Sequence, residues 1–255
     1  MLLSLATYKG DESGFTLIEL AVVLVIVGVL AGTFLSTLGG RIDTTRRAET
    51  TDELEVIKQA LYGYAMSQGN PALPCPDLRS FLDVTAPNEP NDGRADIDPL
   101  DPTECDNDVY VGNLPWRTLG LGFSDAWNNR YTYWVSQDYI GANGFTLTTA
   151  GVASTIDTRT GAVATTISSN AVAVIVSHGK NGYGTLNVQN VFTPVVPVAN
   201  IDEVENADGA DQLYMSRQKT EAGVDAAVGE FDDLLIWISE YELKAKMVEA
   251  GQLPP

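Results

Sequence analysis

The chain opens with a change of pattern. From Leu17 to Gly32 every residue is apolar or glycine except Glu19. The surrounding stretch Phe15–Leu38, at ~1.5 Å rise per residue, is long enough to cross a hydrocarbon core of ~30 Å as one helix. No second run of this kind follows. After Gly39-Gly40 the pattern turns amphipathic: Leu54, Ile57, Leu61 and Tyr64, joined by Val56 and Ala60, recur at three- and four-residue spacing between Glu53, Glu55, Lys58 and Gln59. That spacing predicts a helix with one face for a globular head, running to about Met66 and stopped by Gly69-Asn70-Pro71. The glycine pair, at ~1 kcal/mol of helix cost each, predicts a joint between the apolar and amphipathic halves.

Downstream the composition changes. Segments rich in Val, Ile, Thr and aromatics predict strands at Tyr131–Ser136, Gly144–Thr149, Ala162–Ile167, Ala171–Ser177 and Phe231–Ser239. The turns between them carry Gly and Asn, and no long helical pattern intervenes, so an antiparallel sheet is expected. Ser239-x-x-Glu242 is a capping box for a closing helix with Leu243, Met247 and Val248 on its apolar side and Gly251 at its end. The fold class that follows is α+β, a long N-terminal helix packed on an antiparallel sheet.

Composition narrows the partners. The 255 residues, 44% of them hydrophobic, suffice for a sizeable core, and 34 acids against 15 bases give a formal charge of −19. Nucleic acid is excluded as a partner, since its phosphates call for basic patches. The same excess favours cations such as calcium. No phosphate loop, dinucleotide fingerprint or zinc spacing is present, and the single histidine, His178, follows Ser177 directly. Neighbours on a strand point to opposite faces, so these two do not form a nucleophile and base; no catalytic residue is assigned.

Ser13-Gly14-Phe15-Thr16-Leu17-Ile18-Glu19-Leu20, followed by the apolar run, resembles the processing site of type IV pilins and type II secretion pseudopilins. The resemblance covers about residues 13 to 35. It implies that prepilin peptidase cuts between Gly14 and Phe15 and methylates the new amino terminus of Phe15. It divides the chain into a leader (1–14), a membrane-spanning and filament-core helix (15–38), an amphipathic continuation (39–68) and an extracytoplasmic head (69–255). A carboxylate deep in a membrane costs roughly 2.5 to 3.5 kcal/mol, and the resemblance implies that Glu19 is compensated by the Phe15 ammonium of a neighbouring subunit, setting their stagger. The implied partners are prepilin peptidase, other pilin or pseudopilin subunits, the inner-membrane assembly platform and membrane lipid. Ser36 stands where major members carry proline, which points to a minor subunit, and Arg41, Arg46 and Arg47 after the span oppose the family's orientation by the positive-inside count.

An exported chain with two cysteines is expected to join them, so Cys75 and Cys105 are read as a disulfide closing a loop rich in acids and prolines. Leu114–Leu121 and Asp125–Tyr133 resemble head segments of pseudopilin-like proteins, with tryptophan and tyrosine as core anchors. Ser177–Gly184, ahead of Asp232-Asp233, resembles the glycine-rich loop that holds calcium in major pseudopilins, although Asn181 replaces the acid of that pattern. Oxygen ligands there could come from Asn181, backbone carbonyls and acids from Asp202 to Asp211, and the loop with Asp92, Asp96 and Asp98 is a rival site. No metal ligand is assigned and no cofactor beyond calcium is considered. The expected role is that of a structural subunit, held in the inner membrane with a periplasmic head and then built into a periplasmic or extracellular filament. The alternatives are a minor pilin with a ligand-binding or adhesive head and, last, a membrane-anchored enzyme.

Overall fold

The computed structural model describes residues 16–80, 85–192, 195–209, 212–224 and 227–254, without the side chains of 33–39. By internal contacts the chain forms two units, Met1–Thr45 and Arg46–Pro255. The first helix, α1 (Leu17–Ser67), is not interrupted at Gly39-Gly40. In the first unit its apolar side chains from Leu17 to Leu30 are exposed. Among the described residues no helix is long and apolar enough to cross a membrane; the run with described side chains, Leu17–Gly32, covers only ~24 Å.

In the second unit α1 buries the predicted face. Leu54, Ile57 and Leu61 are 3%, 3% and 0% exposed, and they join Tyr62 and Ala65 in a core with Tyr133, Val135, Val172, Ala173, Ile175 and Ile238. Val56 corrects the pattern: it is 56% exposed, because it lies one position off the inward stripe. Tyr64 is half-buried.

The sheet has six strands, β1 (Val111–Asn113), β2 (Thr132–Val135), β3 (Ser154–Thr160), β4 (Val163–Ser177), β5 (Leu213–Met215) and β6 (Leu234–Ser239). Its order is β1-β2-β4-β3-β5, with β6 also paired to β4. Among the described residues three short α-helices accompany the sheet: α2 (Trp116–Leu119), α3 (Ile201–Asp208) and α4 (Glu240–Glu249). The fold is α+β, as the periods of the sequence require, but the sheet is mixed, since β3 and β5 run parallel. The two strands expected at 162–167 and 171–177 are one, β4, whose last seven residues are buried.

Gly144–Thr149 is not a strand. Gly144 adopts φ +65°, and the Thr149 hydroxyl accepts from Thr146 N at 2.9 Å, folding the segment into turns. The capping box at α4 forms, with Glu242 N donating to Ser239 Oγ at 3.2 Å. Cys75 and Cys105 are joined, with Cα atoms 5.5 Å apart. The tyrosines Tyr131 and Tyr133 are buried at 2% and 0%, whereas Trp116 and Trp127 are half-buried and flank the core.

Candidate functional site

Two places carry chemistry. The first is the start of α1. Gly14 and Phe15 lie outside the described residues, but Thr16 and Glu19 are described and they bond to each other. Thr16 N and Oγ1 donate to Glu19 Oε2 at 2.9 and 2.8 Å, and Glu19 N donates back to Thr16 Oγ1 at 3.3 Å. This is a reciprocal capping box, which satisfies donors that the first turn of a helix leaves open. Thr16-x-x-Glu19 carries the spacing of such a box in the sequence itself. The carboxylate therefore has a local partner in the single chain.

The second place is an acid centre in the head. Glu203 of α3 and the pair Asp232-Asp233 before β6 bring one carboxylate oxygen each within 4.8 Å of the others, and all three residues are buried. Among the described residues this is the group of acids with metal-binding geometry. Much of it is fixed by hydrogen bonds. Glu203 Oε1 accepts from Asp232 N at 3.0 Å and from Asn181 Nδ2 at 2.9 Å, and its Oε2 accepts from Asn200 Nδ2 at 2.8 Å. Asp232 Oδ2 accepts from Lys180 N and Asn181 N, each at 3.1 Å. Asp233 Oδ2 accepts from Asn206 Nδ2 at 2.8 Å.

The remaining oxygens, Asp232 Oδ1 and Asp233 Oδ1, are buried with no hydrogen-bond partner, as is His178 Nδ1. Nδ1 stands 4.0 Å from Asp233 Oδ1. Unmet acceptors of this kind are costly when dry. The glycine loop wraps the centre closely: a Cβ on Gly179, at φ +55°, would meet Asp232 Oδ1 at 2.2 Å, so that position takes glycine alone.

Charge compounds the strain of burial. Desolvation pushes Asp232 up to about 7, Asn181 N pulling it down and the nearby carboxylates of Glu203 and Glu230 adding to the rise. Asp233 is pushed well above its ordinary value by burial and by Glu203, and Glu203 is raised by burial against the pull of its amide partners. Arg47 of α1 opposes the rise at both aspartates. Burial holds His178 down to about 3, with Arg79 acting in the same direction, so the imidazole is neutral. An added divalent cation would meet free, hard oxygen donors here.

The expected ligands are only partly those found. Asn181 orients Glu203, and its Oδ1 accepts from Tyr183 N at 3.0 Å. Asp202 is clamped between Arg159 Nε at 2.7 Å and Arg217 Nε at 2.6 Å. Within the rival acidic loop, Asp96 Oδ2 accepts from Leu78 N and Asp98 Oδ1 from Leu100 N, both at 2.7 Å. Asp98 shapes a turn and Asp96 ties the loop to Leu78, 18 residues away; neither belongs to the group of described acids with metal-binding geometry. Ser177 and His178 go separate ways, Ser177 Oγ donating to Asp125 Oδ2 at 2.7 Å and His178 Nε2 meeting Thr132 Oγ1 at 2.8 Å. They form no nucleophile and base.

No curated protein and no solved structure matches the chain. The match that exists falls on the start of α1 and the segment before it: residues 9–35 carry the prokaryotic N-terminal methylation motif, the class III prepilin signal of type IV pilins and pseudopilins.

Proposed function

We propose that this chain is a structural subunit of a type II secretion pseudopilus or a type IV pilus. Prepilin peptidase would cut after Gly14 and methylate Phe15. The mature chain would wait in the inner membrane by the helix that begins there, with its head in the periplasm, before it enters a filament. The observation that carries the reading is the methylation motif at 9–35 leading into α1, and the disulfide of the head suits an oxidising compartment. Intact-mass analysis of the protein from its native envelope is the test. The expected chain begins at methylated Phe15; a chain that still begins at Met1 while the peptidase is active would sink the proposal.

A cation reading of the acid centre is favoured by the two free buried oxygens of Asp232 and Asp233. Glu203, Asp232 and Asp233 would hold calcium, whose flexible oxygen shell accepts such a set. Bound there, it would supply the charge that three buried carboxylates need and tie α3 to the strand β6.

A further inference from the structure

The strand β4 belongs to two parts of the sheet. Its second half is held on both edges, by β6 from Ala171 to Ser177 and by β2 from Ala173 to Val176. The first half is not: among the described residues β3 is its one neighbouring strand from Val163 to Asn170. These residues are exposed, apart from the half-buried Ser168 and Asn170. One edge of the stretch therefore presents backbone donors and acceptors to no strand.

The hairpin decides which groups those are. Its loop is the pair Gly161-Ala162, with Gly161 at φ +58°, the left-handed value that a two-residue loop asks of its first position. The closing pair Thr160↔Val163 exchanges backbone bonds, so alternation turns the N–H and C=O of Val163 and Thr165 toward β3 and those of Ala164 and Thr166 outward. The shift of register against β3 comes only beyond Thr166. Strand edges of this kind are ordinarily guarded by lysine, proline or a covering segment. Between Gly161 and Asn170 there is no charged residue and no proline.

We propose that the outer edge of β4 pairs antiparallel with the same edge of a second copy of this chain, about a two-fold axis at Thr165. The strand is complementary to itself in that register. Ala164 and the partner's Thr166 exchange their outward backbone bonds, and Thr165 meets the partner's Thr165. Val163, 67% exposed, stands opposite the partner's Ile167, 50% exposed, because the two lie equally far from the axis; cross-strand pairs of β-branched side chains stabilise a sheet. Charge selects the same surface. Copies of a chain at −19 repel one another over most of their surface, whereas this edge carries no charge. A two-fold contact closes on itself, so it pairs two chains and does not repeat along a fibre; it goes beyond the filament reading and does not rest on it. With Val163–Ile167 alone from each copy the interface is small, so the test traps it covalently.

The test uses the full chain in detergent micelles. Cys75 and Cys105 are already paired, so one introduced cysteine is the reactive thiol. Thr165→Cys would face its counterpart in a non-hydrogen-bonded pair, where Cα atoms stand ~4.5 Å apart, within disulfide reach. Val163→Cys is the control, since its own counterpart would lie roughly 14 Å away at ~3.4 Å per residue. Under mild oxidation Thr165→Cys is expected to form a covalent dimer several-fold faster than Val163→Cys. Thr166→Pro added to Thr165→Cys removes an outward N–H and spares the bonds to β3, so it should lower the rate to the Val163→Cys level while circular dichroism is unchanged. If that chain does not fold, Ala164→Lys, at an exposed position, puts a guarding charge on the same edge and should lower the rate alike. Equal rates for Thr165→Cys and Val163→Cys overturn the proposal, as does a Thr165→Cys dimer that the folded edge variant fails to slow.

Discussion

Arg47 Nη1 donates to the backbone carbonyl of Asp232 at 2.7 Å, which joins the first turn of α1 in the head to the residue at the middle of the acid centre. The guanidinium lowers both Asp232 and Asp233 against the effect of their burial, yet it bonds the carbonyl and leaves the free carboxylate oxygens to something else. Asp232 is therefore shared by the acid centre and by the contact that seats α1 on the head.

The first prediction follows from that link. Calcium added to chelator-treated protein should raise its melting temperature by several degrees, since about 1 kcal/mol is worth about 2–4 °C in a domain of this size. Asp233→Asn should abolish the calcium response and make the cation-free protein more stable than the parent, because it removes a buried charge that lacks compensation. A melting temperature that ignores calcium in the parent would end the cation reading. If Asp233→Asn does not fold, Glu203→Gln provides the same comparison from the α3 side.

Acid dependence gives a second measurement. Asp232, at about 7, and the raised Asp233 and Glu203 bind more protons in the folded chain than in the unfolded one. Asp77 and Asp125, pushed by burial to about 7 and about 6, act in the same sense. Because the folded chain binds the extra protons, stability falls with rising pH wherever those protons are released, so the contribution of these acids is fully present below pH ~4 and is lost as pH rises towards ~7. In chelator the denaturation midpoint should fall across that window, and calcium should restore most of it at the alkaline end, where protons no longer compete. A calcium effect larger at pH 5 than at pH 8 would contradict this account.

What the sequence made legible and what it hid divide along physical lines. Leu54, Ile57 and Leu61 were readable because a helix stripe needs only local spacing, and the Ser239–Glu242 cap because it lies within four residues. β3 was not, since Ser154–Thr160 holds Ile156 amid Asp157, Arg159 and three threonines, and its place is set by pairing with β4 and β5. The acid centre shows the same limit: the stretch containing Glu203 and the Asp232-Asp233 pair were both visible, but only the packing of α3 beside β5, with Asn206 bonded to both Met215 and Asp233, says which acid turns inward. Asp202, one residue away, is taken by two arginines.

The disulfide leads to a third prediction. It joins residues 30 apart in sequence, around a segment with little regular structure, so its loss should cost about 3–4 kcal/mol by loop-closure entropy. Replacing Cys75 and Cys105 together by alanine should lower the urea midpoint accordingly, while far-ultraviolet circular dichroism keeps its helix and strand signal. Alkylation of two free thiols in protein taken from the native envelope would show that no bond exists there.

The last prediction separates two uses of Glu19. In the single chain its carboxylate caps α1 through Thr16 N and Oγ1, a bond whose loss is worth ~1 kcal/mol at a helix end. The proposed assembly role asks the same carboxylate to meet the Phe15 ammonium of a neighbour instead, a charged partner that a threonine hydroxyl cannot replace. Thr16→Val removes the hydroxyl and spares the acid; Glu19→Ala removes the acid. If the cap were the whole purpose, the two variants would reach filaments equally. If the carboxylate serves assembly, Thr16→Val should be incorporated nearly as the parent is, whereas Glu19→Ala should fall at least tenfold in sheared filaments while its membrane level and its cleavage after Gly14 are unchanged. Immunoblots of membrane and filament fractions from the native host decide between them. Equal incorporation of parent and Glu19→Ala would defeat the pairing, and loss of Glu19→Ala from the membrane fraction would place the acid in insertion, upstream of any contact between subunits.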